Sequence, residues 1–146
     1  MLAWDEKSHA LGVTEMDATH REFMALVNLL ADCDDGEFCV LFDKLLEHCR
    51  LHFTSEGRLM RISRFPALNE HEGEHHRIYG DLVQMNRAVQ RGRLMLPRAF
   101  VKQRLEEWFN QHLASMDAAL AAHLKRVGER AGEAQVAMSG GLPVLG

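Results

Sequence analysis

Every stretch of this chain able to form a helix carries histidine on the side that would be buried, and no other feature restricts the fold as tightly. Breaks at Asp34-Asp35-Gly36, Arg64-Phe65-Pro66 and Arg91-Gly92, with Pro97 beyond, separate segments of helical length. Helices are predicted over about Thr14 to Cys33, Glu37 to Ser63, Leu68 to Arg91 and Arg98 to Val127. The first opens on a capping-box pattern, Thr14-Glu15-Met16-Asp17. In the second, Phe38, Phe42, Leu45, Cys49, His52, Glu56 and Leu59 recur at alternating steps of four and three, the seam spacing of a helix bundle. The third repeats that rhythm through Leu68, His71, His75, Ile78, Leu82, Met85 and Val89. The first contributes His20, Phe23, Val27 and Leu30, and the fourth Val101, Leu105, Trp108 and His112. Strand signals are missing, because Ala, Leu, Met, Glu and Arg outweigh β-branched residues and nothing alternates. Four helices on short connections predict an all-α, antiparallel up-down-up-down four-helix bundle over residues 1–127. Residues 1–16 read as an extended N-terminal arm. Residues 128–146 read as a C-terminal tail, flexible or docked through Val136, Met138, Leu142 and Val144.

A chain of 146 residues with 47% apolar and 26% charged residues has the makeup of one globular domain. Its net charge of -4 supplies no basic field to displace counterions from a phosphate backbone, which argues against nucleic acid as a partner. No apolar run approaches the ~20 residues needed to cross a bilayer, so no membrane span is expected. Trp4 and Asp5 stand where a secretory signal would place positive charge and then an apolar block, and a cytoplasmic location is expected. Cys33, Cys39 and Cys49 are odd in number and lack Cys-x-x-Cys spacing, which predicts reduced thiols and no thiolate metal site.

Glu56 directs the chemistry. A lone carboxylate in an apolar seam is strongly destabilising or takes up a proton, and no Lys or Arg shares the stripes. Five imidazoles, from His20, His52, His71, His75 and His112, add their own dehydration with no return unless a cation sits among them. His52 with Glu56, and His71 with His75, are spaced four apart, so each pair points from one helical face at a common point. Imidazole with carboxylate suits iron or zinc and poorly suits Mg²⁺ or Ca²⁺. Beyond His112 the apolar stripe resumes out of register, at Asp117, Leu120, Leu124 and Val127. His112 and Asp117 are five positions apart, about 140° around an ideal α-helix. Asp117 is therefore either a solvent-facing aspartate or a member of the site, brought in by a π-type bulge that the register shift predicts.

The order of these residues, with His20 after Asp17, His52-Phe53 before Glu56, His71 with His75, and Trp108 through His112 to Asp117, resembles the hemerythrin family, in particular its single-domain bacterial members. The resemblance covers about residues 1–127 and includes the Trp4-Asp5 opening. It implies a four-helix bundle around a non-haem di-iron centre, two iron ions per chain with an oxo or hydroxo bridge. On that resemblance His71, His75 and His112 hold one iron, His20 and His52 hold the other with a position left open, and Glu56 and Asp117 bridge the two. It further implies dioxygen as the ligand, bound reversibly for carriage, storage or delivery, with no enzymatic turnover and an unidentified protein acceptor as a partner. The alternative is a module that senses oxygen, redox state or nitric oxide at the same centre. Phe23, Phe53, Phe109 and Met116 are candidates to line the oxygen pocket. Two residues depart from related bacterial sequences: Gly57, where a second acid is common, and Phe109, where a smaller aliphatic residue is common. Gly73 and Gly80 in the third helix suggest close approach of the arm or tail.

Two rival motifs are weaker. His71-Glu72-Gly73-Glu74-His75 matches the His-Glu-x-x-His zinc protease pattern, with Glu72 activating a water, but it leaves Glu56 and three seam histidines unexplained. Ferritin-like oxidases need two Glu-x-x-His pairs, and Glu72 with His75 is the single candidate on the third helix.

Overall fold

The computed structural model describes residues 2–140, with side chains through residue 132, and all regular structure among them is helical. A single turn, α1 (Glu6–His9), precedes three long helices, α2 (Thr14–Asp32), α3 (Asp35–Ile62) and α4 (Leu68–Gln90). The fourth rod is one run of five stretches: α5 (Met95–Ala99), a π-helical π1 (Phe100–Leu105), α6 (Glu106–His112), a second π-helical π2 (Leu113–Asp117) and α7 (Ala118–Gly140). Arg98 donates to the carbonyl of Cys33 and to Asp35, both at 2.9 Å, which pins the start of this rod beside the α2–α3 turn. His123 reaches the carbonyl of Ser63 at 2.8 Å, beside the α3–α4 turn. Those two ends make the rod antiparallel to α4 and complete the up-down-up-down bundle.

The stripes pack inward as their spacing requires. Val27, Phe38, Phe42, Leu45, Leu82 and Leu105 are fully buried in one apolar cluster, each contributing about 1.5–3 kcal/mol by burial. Met16, Met60, Phe65, Leu120 and Ala121 form a second, smaller cluster. Between the two lies a layer of buried histidines and carboxylates.

Helix ends differ from the sequence expectation for local reasons. The capping box at Thr14 does not form, because Asp17 accepts from the backbone N–H groups of Leu11 (2.8 Å) and Gly12 (3.2 Å), and Val13 stands at the cap. Gly12 makes that turn possible at φ 78°. α3 starts earlier than predicted because Asp34 caps it, accepting from the N–H of Glu37 at 2.8 Å. The arm is not wholly extended: Asp5 accepts from the N–H of Lys7 and the hydroxyl of Ser8, which nucleates α1. Reciprocal hydrogen bonds between Leu2 and Asn28, at 2.8 and 2.6 Å, and Arg21 over the Trp4 ring at 4.4 Å, fasten the arm to α2. The last rod begins at Met95, since Pro97 in a first turn forfeits no hydrogen bond. It continues past Val127 through Gly128 and Gly132 to Gly140, where helix-favouring Ala, Glu, Arg and Gln dominate. The suggested docking of Val136, Met138, Leu142 and Val144 falls on side chains outside the described residues. Among the described residues no segment approaches Gly73 or Gly80, where an added Cβ would meet nothing within 4 Å, so the arm makes no close approach there.

α3 ends in a Schellman motif. The N–H of Phe65 bonds to Met60 O at 2.9 Å, that of Arg64 bonds to Arg61 O at 3.2 Å, and Met60 and Phe65 share the smaller apolar cluster. Arg64 occupies the left-handed position at φ 55°, where glycine is unstrained. Arg64→Gly is expected to raise the unfolding free energy by about 0.5–1 kcal/mol. Phe42→Ala, at a fully buried site, is expected to lower it by about 3–5 kcal/mol. Urea titration of the two variants beside the parent measures both.

Candidate metal centre

Each rod of the bundle contributes to one buried polar layer. α2 supplies His20, α3 supplies His52 and Glu56, α4 supplies His71 and His75, α6 supplies His112 and π2 supplies Asp117. None is more than 7% exposed. The seam spacing places the first six. Asp117 enters through the wider turn of π2, which begins at the residue after His112 and brings His112 Nε2 to 3.2 Å from Asp117 Oδ1. That excludes the solvent-facing alternative.

The two carboxylates divide their oxygens between two groups of imidazoles. Glu56 Oε1 lies 3.2 Å from the Nε2 atoms of both His71 and His75, and Asp117 Oδ1 lies 3.2 Å from those of His71 and His112. The other oxygens face the other way: Glu56 Oε2 is 2.6 Å from His52 Nε2 and 3.5 Å from His20 Nε2, and Asp117 Oδ2 is 3.1 Å from His20 Nε2. One face of the cluster therefore gathers three imidazoles and two oxygens, and the opposite face gathers two imidazoles and two oxygens.

Donor atoms converge without donating to one another. The Nε2 atoms of His20, His71, His75 and His112, Glu56 Oε1 and both Asp117 oxygens are buried and lack hydrogen-bond partners, and His52 Nε2 with Glu56 Oε2 is the one pair in the cluster with hydrogen-bond geometry. Such atoms are costly inside a protein unless a cation takes their lone pairs. Nitrogen and oxygen donors at mutual distances under 4.8 Å, in the groups Glu56–His71–His75–His112–Asp117 and His20–His52–Glu56, fit a transition-metal site.

Without a metal, protons take its place. Burial pushes the His20 imidazole down, but Asp117 and Glu56 outweigh it and raise the group to about 9. His71 behaves alike and also reaches about 9. Burial pushes Glu56 up, but His52, His20 and His71 pull it well below the ordinary carboxylate range. Asp117 is likewise lowered, against burial and the Glu56 charge, by His112, His20 and His71. His75 moves down, chiefly through burial.

Of the four candidate pocket residues, Phe23 and Phe109 are buried and stacked on each other at 4.7 Å, and Phe109 meets His20 edge-on at 5.7 Å. Phe53 is half-buried and lies flat on His75, with ring centres 4.0 Å apart. Met116 is half-buried and borders an outer cleft beside His71. Sequence reasoning missed the plate over His112: Trp108 stacks on it at 4.6 Å and donates from Nε1 to Glu74 at 2.8 Å. Its position one turn before His112 was the available signal, whereas the Glu74 partner is 34 residues away. Glu72 pairs with Arg61 at 2.9 Å on the surface, which removes the protease reading. A Cβ at Gly57 would lie 2.9 Å from Glu72 Oε1 and 3.2 Å from an Arg61 nitrogen, the mobile ends of two long side chains, so the structure does not require glycine there.

Fold and site together define a four-helix-bundle protein with a buried imidazole–carboxylate metal site. The family described as hemerythrin HHE cation binding domain matches residues 11–124, and the chain belongs to that family. It is similar to the bacteriohemerythrin of Ralstonia nicotianae, 32% identical over 133 residues, covering 91% of this chain and 96% of the relative. A bacteriohemerythrin of Aquifex aeolicus is 28% identical over 131 residues, covering 85% and 98%. A crystal structure of wild-type hemerythrin superposes with a TM-score of 0.79 at 20% identity, covering 85% of this chain and 98% of that one. No helix among the described residues is long and apolar enough to cross a membrane.

The shifted groups set the pH behaviour of the metal-free protein. The raised histidines stabilise the fold fully below about 6.5, and that contribution is lost as pH rises through about 9. The lowered carboxylates act above their ordinary range and fail in acid. Urea midpoints of metal-free protein are expected to fall between pH 7 and 9.5. Metal uptake at pH 7 is expected to release protons into a weakly buffered indicator solution. A flat profile with no proton release would contradict the assignment.

Proposed function

We propose that the chain binds dioxygen reversibly at a di-iron centre, for oxygen carriage, storage or delivery. The observation that carries this reading is the division of the Glu56 and Asp117 oxygens between a three-imidazole group and a two-imidazole group. On it, His71, His75 and His112 would hold one iron and His20 and His52 the other, with Glu56 and Asp117 each offering one oxygen to either group. Iron bound there would supply the electrons for holding dioxygen reversibly. Membership in the hemerythrin family supports both the metal and the ligand.

The protein's own residues favour binding over turnover. Five imidazoles against two carboxylates give a donor set with little net negative charge, which disfavours the high oxidation states that cleave an O–O bond. The two-imidazole side carries one nitrogen donor fewer, so a metal held there would have room for a further ligand. Beside it Phe109 lies edge-on against His20 with Phe23 stacked on its other side, and the two buried rings exclude water and stray reductants. Phe53 over His75 and Trp108 over His112 shield the opposite group.

Purified protein is expected to contain about two irons per chain by elemental analysis. Its reduced form is expected to gain a visible absorption band in air that fades when oxygen is removed. His52→Ala is expected to keep the helix content by circular dichroism and to lose stable oxygenation. Iron that consumes oxygen continuously without a reversible colour would overturn the reading in favour of an oxidase, and zinc in place of iron would overturn it altogether.

A further inference from the structure

Among the described residues, four of the six strongly exposed large apolar side chains lie near one end of the bundle, where the α2–α3 turn meets the loop between α4 and α5. They are Leu29 near the end of α2, Val40 in the second turn of α3, and Met95 and Leu96 at the start of α5. Apolar surface gathered in one place on a water-facing end marks a contact.

Met95 is 88% exposed and Leu96 64%, yet their backbone is held firmly. The N–H groups of Gly92 and Arg93 close α4 on the carbonyls of Val89 and Ala88, both at 2.9 Å, with Gly92 at φ 75°. Behind the pair, Pro97 fixes the first turn of α5. Met95 and Leu96 therefore stand as a rigid apolar knob, which loses little freedom on docking. Arg91 and Arg93 flank it, exposed and without an ion pair among the described residues.

A groove of about 540 Å³ opens between α2 and α3 at the same end. Ala25, Leu29, Cys33 and Leu41 line it, together with Asp32 and Glu37, two exposed acids that also lack an ion pair among the described residues. Knob and groove share a corner of the bundle, because Arg98 in the turn after Met95 donates to the carbonyl of Cys33 at 2.9 Å. The groove has room for two aliphatic side chains, and its charge is opposite to that around the knob. α7 leads away from this end, past Ser63 at the other.

We propose that this end is a self-association surface: two copies meet about a two-fold axis, the Met95–Leu96 knob of each seated in the α2–α3 groove of the other, with Arg91 and Arg93 against the partner's Asp32 and Glu37. Since knob and groove lie at one end, a two-fold axis makes both contacts at once and the assembly closes; at opposite ends they would build a filament. An anionic bilayer fits less well, because Asp32, Asp34, Asp35 and Glu37 at this end would face headgroups of their own sign. The contact is small, so dissociation in the micromolar range is expected. The metal layer takes no part in it.

Sedimentation velocity of the full-length protein, with and without iron, over about 1 to 500 μM tests this. Monomer is expected to pass to dimer and to nothing larger. Leu96→Asp and Leu29→Asp, both at exposed sites, are each expected to weaken the dimer about tenfold or more and to leave the helix content by circular dichroism unchanged. Charge exchange separates this partner from others: Arg91→Glu with Arg93→Glu, and Asp32→Lys with Glu37→Lys, are each expected to abolish the dimer, and an equimolar mixture of the two proteins to restore it. Monomer throughout, a dimer indifferent to Leu96→Asp, a mixture that stays monomeric, or species growing beyond the dimer overturns the proposal. Binding to phosphatidylserine vesicles that needs Arg91 and Arg93, by a protein that stays monomeric, overturns it in favour of a lipid surface.

Discussion

Dehydration of seven polar side chains in the middle of a helix bundle is the interaction on which the rest of this structure depends. Glu56 and Asp117 are almost completely buried, and five imidazoles share their layer. Left alone, each would destabilise the fold. The carboxylates resolve the conflict by facing both ways, one oxygen toward each group of imidazoles. In the absence of metal they hold His20 and His71 protonated up to about pH 9, so the layer stays compensated by protons. Apolar clusters on either side, built on Phe42 and Leu105 at one end and on Met60 and Leu120 at the other, keep water from dispersing that balance.

A change of helical pitch lets one rod serve both its packing and the site. An unbroken α-helix carrying His112 inward would turn Asp117 well away from it. π2 absorbs the mismatch between these residues, and the stripe resumes with Leu120 fully buried. A π turn gives up regular hydrogen bonding, and such turns persist where a side chain must be placed that a regular helix cannot place. Here that side chain is the second carboxylate, without which the two imidazole groups would share Glu56 alone.

Orientation of the outer imidazoles comes from stacking. The Nδ1 atoms of His20, His52, His71, His75 and His112 all lack hydrogen-bond partners in the protein. His71 and His20 each contact both carboxylates, whereas His75 contacts Glu56 alone and His112 contacts Asp117 alone. It is those last two that carry flat aromatic plates, Phe53 at 10° and Trp108 at 17°. Glu74 holds the Trp108 plate by its indole N–H and is itself held by two bonds from Arg77.

Periodicity alone determined which residues turn inward, because a helix in water must bury its apolar stripe whatever it packs against. Phe38 through Glu56, His71 through Val89 and Val101 through His112 could therefore be read before any coordinates, and so could six of the seven polar residues in the layer. The break in register after His112 disclosed that something unusual happens there, but it left two outcomes open for Asp117. Helix ends escaped the sequence reading where side chains chose between competing backbone donors, as Asp17 did in turning to Leu11 and Gly12. Only the tertiary structure decided how the carboxylate oxygens divide, that Trp108 covers His112 and that a groove opens between α2 and α3. Each of those depends on groups brought together from different helices, and the distance between them is set by how the rods pack, which a one-dimensional pattern does not encode.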